Sequence, residues 1–201
     1  MKKGFILALA MVMAACVSIG VTLAYLFVET PSVVNTFKYG DINIELWEND
    51  YVLSTNSLDS NTKVTSESDY KLIPGNSMPK NPTVTVKANS EACWLFVKIE
   101  ESENFESFMT YGIAKGWNAL PGVEDVFYCE GSATTVDKDY AILADNKVNV
   151  KDSVLKTELN ALTEATYPKL TFTAYAVQKA NVNTVVEAWA LVRSKGVSSS
   201  N

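Results

Sequence analysis

Between Lys3 and Glu29 the chain carries no charge, and that stretch constrains everything after it. Lys2 and Lys3 give a short positive start, and an apolar run follows from Gly4 through Ala15. A positive start followed by an apolar run and then small residues is the pattern of a secretory signal segment. Ala24 suits the residue before a cleavage and Thr22 is acceptable two positions earlier, so cleavage is expected after Ala24, with Tyr25 as the new N-terminus. Two other fates fit the same residues. The charge-free stretch is long enough to cross a bilayer as a retained anchor, with Lys2 and Lys3 held on the cytoplasmic side. Met13-Ala14-Ala15-Cys16 loosely matches a lipoprotein box, although apolar sequence continues well past Cys16. All three fates put the remaining chain outside the cytoplasm.

Beyond the signal the chain is long enough for one domain with a real core. The expected division is 1–24 as signal, 25–40 as an N-terminal arm or first strand, 41–195 as a single domain, and 196–201 as a disordered tail. Cleavage removes Lys2 and Lys3 and no acid, which takes the formal net charge from −6 to about −8. Arg193 is then the one arginine. Nucleic acid and anionic membrane both need clustered positive charge, so neither is an expected partner. Membrane contact is expected only through an uncleaved signal segment.

No histidine occurs anywhere in the sequence. That excludes Ser-His-Asp and Cys-His catalysis and the histidine-containing zinc motifs. Acid–base work would fall to carboxylates, lysine or tyrosine. Glu100, Glu101 and Glu103 are available, but acids in such a stretch usually form a solvated face. No enzyme activity, cofactor or metal is expected. Of three cysteines, Cys93 and Cys129 remain after cleavage. In an exported domain they can form one disulfide, or they can pack as two small buried thiols, and their spacing does not choose between these.

Short β-patterned segments and turn signals alternate along the domain. Ile42, Ile44 and Leu46 alternate with polar residues, predicting a strand region over 31–47. Residues 54–69 are polar and read as a long exposed loop. Pro74-Gly75-Asn76 and Pro121-Gly122 are turn signals. Strands are expected over 83–87, 92–100 (buried on both faces), 111–117, 126–129 and 170–178. Tyr140–Ala144 and Val148–Val150 are expected to pair across Asp145-Asn146. Helices are expected over 103–109, over 156–164 with Leu159 and Leu162 inward, and over 184–193. In the last, Val185, Val186, Ala188, Trp189 and Val192 share one face. Trp94 and Trp189 are assigned to the core. Many strands with a few helical insertions predict a mainly β, antiparallel jelly roll or β-sandwich.

Several segments together resemble the TasA/camelysin family of exported proteins from Gram-positive bacteria. They are Gly20-Val21-Thr22-Leu23-Ala24-Tyr25 at the end of the signal, Asn35-Thr36-Phe37, Gly40-Asp41-Ile42, Leu72-Ile73-Pro74-Gly75-Asn76, the strand around Val84, Ala174-Tyr175-Ala176-Val177-Gln178 and Ala188-Trp189. The resemblance implies a jelly roll, a signal cleaved by a SipW-type signal peptidase, secretion to the cell surface or matrix, and in some members assembly into biofilm fibres. Camelysins are classed as metallopeptidases, and here the absence of histidine and of a zinc motif departs from them.

The expected function is therefore a secreted or cell-surface structural protein, a fibre subunit of the biofilm matrix that associates with itself or with related matrix subunits. Its arm supplies the means. Tyr25, Leu26, Phe27 and Val28 form an apolar, β-prone tetrad, and Val33, Val34 and Phe37 continue the candidate donor strand. Such a strand can add to a neighbour's open sheet edge, and a head-to-tail contact of this kind propagates. The alternatives are a camelysin-like surface metallopeptidase, or an adhesion or ligand-binding module using Trp47, Trp117 and Tyr140.

Overall fold

Leu95, Val97 and Ile99 alternate with Trp94, Phe96 and Lys98, and all but Lys98 of these are buried. Such a segment needs cover on both faces, and it becomes the centre of the domain. The computed structural model describes residues 41–65 and 70–198. The chain divides into 1–39 and a unit from Gly40 onward, and the elements and layers below belong to the second unit. The cleavage point Ala24–Tyr25 and the arm residues Tyr25, Leu26, Phe27, Val28, Val33, Val34 and Phe37 lie outside the described residues.

In chain order the elements are β1 (Ile44–Val52), β2 (Ser57–Val64), β3 (Ser77–Pro79), β4 (Thr83–Val86), β5 (Cys93–Glu101), α1 (Phe105–Phe108), β6 (Met109–Ile113), β7 (Asn118–Ala119), β8 (Val126–Gly131), β9 (Lys138–Ala141), β10 (Leu143–Val150), α2 (Lys156–Asn160), a 3-10 turn (Glu164–Thr166), β11 (Leu170–Gln178) and α3 (Val185–Ser198). The fold is mainly β and antiparallel, a β-sandwich. One layer has the order β11-β5-β8-β7. The other joins β2-β1-β4-β9 to β3-β10-β6. Those two sheets run into each other through Lys80 N–H to Asn146 O at 2.8 Å and Ile142 N–H to Pro82 O at 3.0 Å.

The main core lies between the layers. Val84, Val86, Ile142, Leu143, Val148 and Val150 from one layer meet Leu95, Val97, Ile99 and Cys129 from the other. Ile42, Ile44 and Leu46 pack on it as their alternation predicts. A second cluster covers the outer face of β5. There Trp94 and Phe96 pack with Ala188 and Trp189 of α3, and the Phe96 and Trp189 rings are 5.2 Å apart. Each large side chain removed from water in these clusters contributes about 1.5–3 kcal/mol.

The two proline–glycine turns form as expected. Asn76 N–H bonds Ile73 O with Gly75 at φ +75°, and Val123 N–H bonds Leu120 O with Gly122 at φ +72°. Four expectations need correction. Residues 57–64 are not loop but β2, because a strand at a sheet edge needs only backbone bonds to β1 and tolerates polar side chains on both faces. The segments flanking Asp145-Asn146 do not form a hairpin. β9 pairs with β4 while β10 pairs with β3 and β6, and the two positive-φ residues make an irregularity within β10. Val186 is 58% exposed rather than inward, since the face of α3 that meets β5 runs through Val185, Ala188, Trp189 and Val192. The helix also continues to Ser198, three residues into the expected tail.

Candidate functional site

Strand β7 is only two residues long and covers only Phe127 and Tyr128 of β8. Beyond that point Cys129, Glu130 and Gly131 have no strand on that side among the described residues. Across the sandwich, β9 pairs with β4 on one side. Its other side likewise has no strand partner among the described residues. Two sheet edges thus end beside each other, and a cleft of about 640 Å³ opens between them.

The floor is set by how the chain crosses from β6 to β7. Ala114 N–H bonds Ile142 O at 2.9 Å, and the chain then turns at Gly116, whose φ of +99° favours glycine. Trp117 drops between the layers, 9% exposed, and its indole N–H donates to Ala141 O at 2.8 Å. Tyr128, Cys129 and Tyr140 add to the lining, and Lys115, Asn118, Glu130 and Asp139 make its polar part. The Lys138 ammonium sits 5.3 Å from the Tyr140 ring centre. The Tyr140 hydroxyl is buried and has no hydrogen-bond partner among the described residues. Leaving such a group unpaired costs about 1–3 kcal/mol.

Several charges around this end of the domain are paired. Glu130 meets Lys179 at 2.7 Å, and Lys87 meets Asp137 at 2.7 Å and Glu45 at 3.3 Å. Lys87 and the hydroxyl of Thr134 hold the neighbouring loops, and Asn89 N–H bonds Thr134 O at 2.7 Å. The cleft offers main-chain edge, the aromatic side chains of Trp117, Tyr128 and Tyr140, and the polar ones of Lys115, Asn118, Glu130 and Asp139. Burial pushes the Cys129 thiol up to about 12, with Cys93 adding to it, and burial pushes Cys93 up to about 11. Neither is a thiolate near neutral pH.

Cys93 and Cys129 come together on adjacent strands, β5 and β8, and both are free thiols. The carboxylates do not come together as a pair. Glu100 bonds Lys98 at 2.5 Å, and Glu101 accepts the Tyr111 hydroxyl at 2.7 Å. Among the described residues no group of three His, Cys, Asp or Glu side chains could hold a metal ion, and no helix is long and apolar enough to cross a membrane. The aromatics considered for adhesion are mostly inside. Trp47 is buried with its N–H on Thr85 Oγ1 at 2.7 Å, Trp117 floors the cleft, and Tyr140 is half-buried.

The cleft is not visible in the residue pattern. Its one available signal is the spacing from Trp117 to the Pro121-Gly122 turn, which leaves room for only a very short strand. Comparison of the chain with protein-family models, curated proteins and solved structures returns no match.

Proposed function

We propose that this is an exported structural protein, a subunit of surface or matrix fibres that assembles by strand addition at the β8–β9 cleft. The observation that carries the reading is the meeting of two strand edges that have no strand partner among the described residues, over a floor set by Trp117. Lone edges are a hazard that exported and cytosolic proteins alike usually blunt, and two facing one cleft make an acceptor for an extended segment. The β9 edge is four residues long, Lys138–Ala141, which matches the apolar tetrad Tyr25-Leu26-Phe27-Val28 that cleavage after Ala24 would expose.

The point at which the arm joins the domain supports the same reading. The described chain starts at Asp41, whose carbonyl accepts Glu91 N–H at 3.0 Å, while Asn43 O accepts Lys87 N–H at 2.9 Å. Lys138 stands opposite Val86 and Gly131 opposite Cys93, so Asp41 lies at the end of the domain where the cleft edges begin. Sixteen extended residues, 25–40, reach about 50 Å, enough to enter a neighbour. Such a contact is head-to-tail and does not close on itself. A SipW-type signal peptidase is the expected processing partner, and self-association or pairing with related matrix subunits is the expected interaction.

Electron microscopy of residues 25–201 beside residues 39–201 tests this. The longer protein is expected to form filaments and the shorter to stay monomeric. A peptide of residues 25–38 is expected to bind the shorter protein and to protect the amides of 138–141 from hydrogen exchange. Filaments that form equally well without the arm would sink the mechanism.

A further inference from the structure

Cys93 and Cys129 share one face of the β5–β8 pair. Cys93 stands opposite Gly131 and Cys129 opposite Leu95, so the two cysteines are diagonal neighbours. Gly131 has no side chain, and the Cys93 sulfur fills the space left open. A Cβ on Gly131 would lie 2.6 Å from that sulfur. The sulfur therefore leans over β8, the strand that carries Cys129. Diagonal positions of an antiparallel pair lie about 7–8 Å apart at Cα and closer at Cβ. A disulfide spans up to about 6.8 Å between Cα atoms. Closing the difference takes a shift of about 1 Å at a stretch of β8 whose other side has no strand among the described residues.

Access to the two sulfurs is unequal. Cys93 is 0% exposed, whereas Cys129 is 7% exposed and lines the cleft. We propose that Cys93 and Cys129 are a latent cross-strand disulfide that closes by exchange through the cleft with a small-molecule or protein disulfide. The Cys129 thiolate attacks one sulfur of the oxidant R–S–S–R, forms a mixed disulfide and releases one RS⁻. The Cys93 thiolate then attacks the Cys129 sulfur, forms the Cys93–Cys129 bond and releases the second RS⁻. The two protons given up by the protein thiols go to the two released thiolates, and two electrons pass from the protein to the oxidant. The bridge would tie β5 to β8 at the rim of the cleft. It stands whether or not the cleft accepts a strand.

The test uses residues 25–201 with oxidised glutathione. The folded protein is expected to lose two hydrogens in intact mass and to run as a single covalent chain on a denaturing, non-reducing gel. A peptide map should join the segments around residues 93 and 129. The melting temperature should rise by roughly 5–10 °C and fall back on reduction. Closure should speed up as pH is raised, because burial holds both thiols protonated. Cys93→Ser should stop at a stable glutathione adduct on Cys129, and Cys129→Ser should take up none. If either variant fails to fold, the mass and melting point of the wild-type protein still decide. Two unmodified thiols after prolonged exposure at raised pH, a wild-type adduct that never resolves, or disulfide-linked dimers would each overturn the proposal.

Discussion

The indole nitrogen of Trp117 donates to the carbonyl oxygen of Ala141 at 2.8 Å, and this bond fastens the β6–β7 crossover to the free edge of β9. Trp117→Phe keeps most of the apolar contact and removes the donor. The expected cost is about 1–2 kcal/mol, since a net hydrogen bond contributes roughly 1 kcal/mol and the smaller ring leaves some space. Urea unfolding measures the cost. Hydrogen exchange should quicken at 138–141 while the amides of β5 stay protected, because β5 is held on both sides by β11 and β8. Uniform loss of protection would show that the crossover does not act locally on the edge.

Helix α3 separates two neighbouring valines. Val185 packs into the second cluster, whereas Val186 is 58% exposed. Trp189 lies against Phe96 at 5.2 Å and Tyr175 at 5.7 Å. Trp189→Ala is expected to destabilise the domain by about 3–5 kcal/mol, and Val186→Ala by no more than about 0.5 kcal/mol. Equal effects of the two changes in thermal unfolding would place the inward face of the helix where the sequence pattern alone put it.

That valine illustrates what a sequence of this kind reveals and what it hides. Nine successive residues, Leu170–Gln178, read as a strand and form β11, because uncharged β-prone residues between breakers leave few alternatives. The buried run around Phe96 is legible for the same reason. Strand β2 is not, since its bonds to β1 use the backbone and its side chains, Ser57-Leu58-Asp59-Ser60-Asn61-Thr62-Lys63-Val64, carry a loop-like composition. Asp145-Asn146 shows the left-handed conformation its residue types suggest, at φ +55° and +50°. Those types suit a hairpin turn and a strand irregularity equally, and which one forms depends on whether Ile142 and Leu143 find a core ahead of them. The cleft is the least legible feature. It exists because β7 stops after two residues, and where a strand stops depends on partners far away in the chain. Trp117 and Tyr140 stand out in the sequence as aromatics, without any indication that they line the same gap.

Alkaline pH should weaken the fold. Burial pushes Cys93 up to about 11 and Cys129 up to about 12. Burial, aided by Glu48, raises the Tyr70 phenol, and burial with the hydrogen bond to Glu101 raises Tyr111. In the unfolded chain thiols ionise near 8.5 and phenols near 10. The folded protein keeps these protons when the unfolded chain has lost them, so stability is complete below about pH 8.5 and falls as pH climbs through the raised values. Urea unfolding should show constant stability up to about pH 8.5 and a steady decline from there to about pH 10.5. Replacing both cysteines with serine should flatten the early part of that decline. Tyrosinate absorbance should appear late for Tyr51, Tyr70 and Tyr111, all three held protonated by burial. Constant stability across the window would mean that these groups titrate alike in both states.

Gly131 and Cys93 form a very tight pairing in the domain core, with the sulfur 2.6 Å from where a Cβ would be. Gly131 also lies close to Leu95 on the same face, 3.4 Å from the position of that Cβ to Cγ. Gly131→Ala is therefore expected to cost about 1–3 kcal/mol, the range for an added methyl in a packed core. Cys93→Ala alone should cost about 1 kcal/mol, for a small sulfur lost from an apolar site. Combined, the two changes remove the collision, and the new methyl fills the space the sulfur leaves. The double variant should be more stable than the sum of the single costs predicts, with a coupling of about 1–3 kcal/mol. Strictly additive costs would show that the strain of Gly131→Ala falls on Leu95 rather than on the cysteine, and that β8 does not hold Gly131 to make room for sulfur.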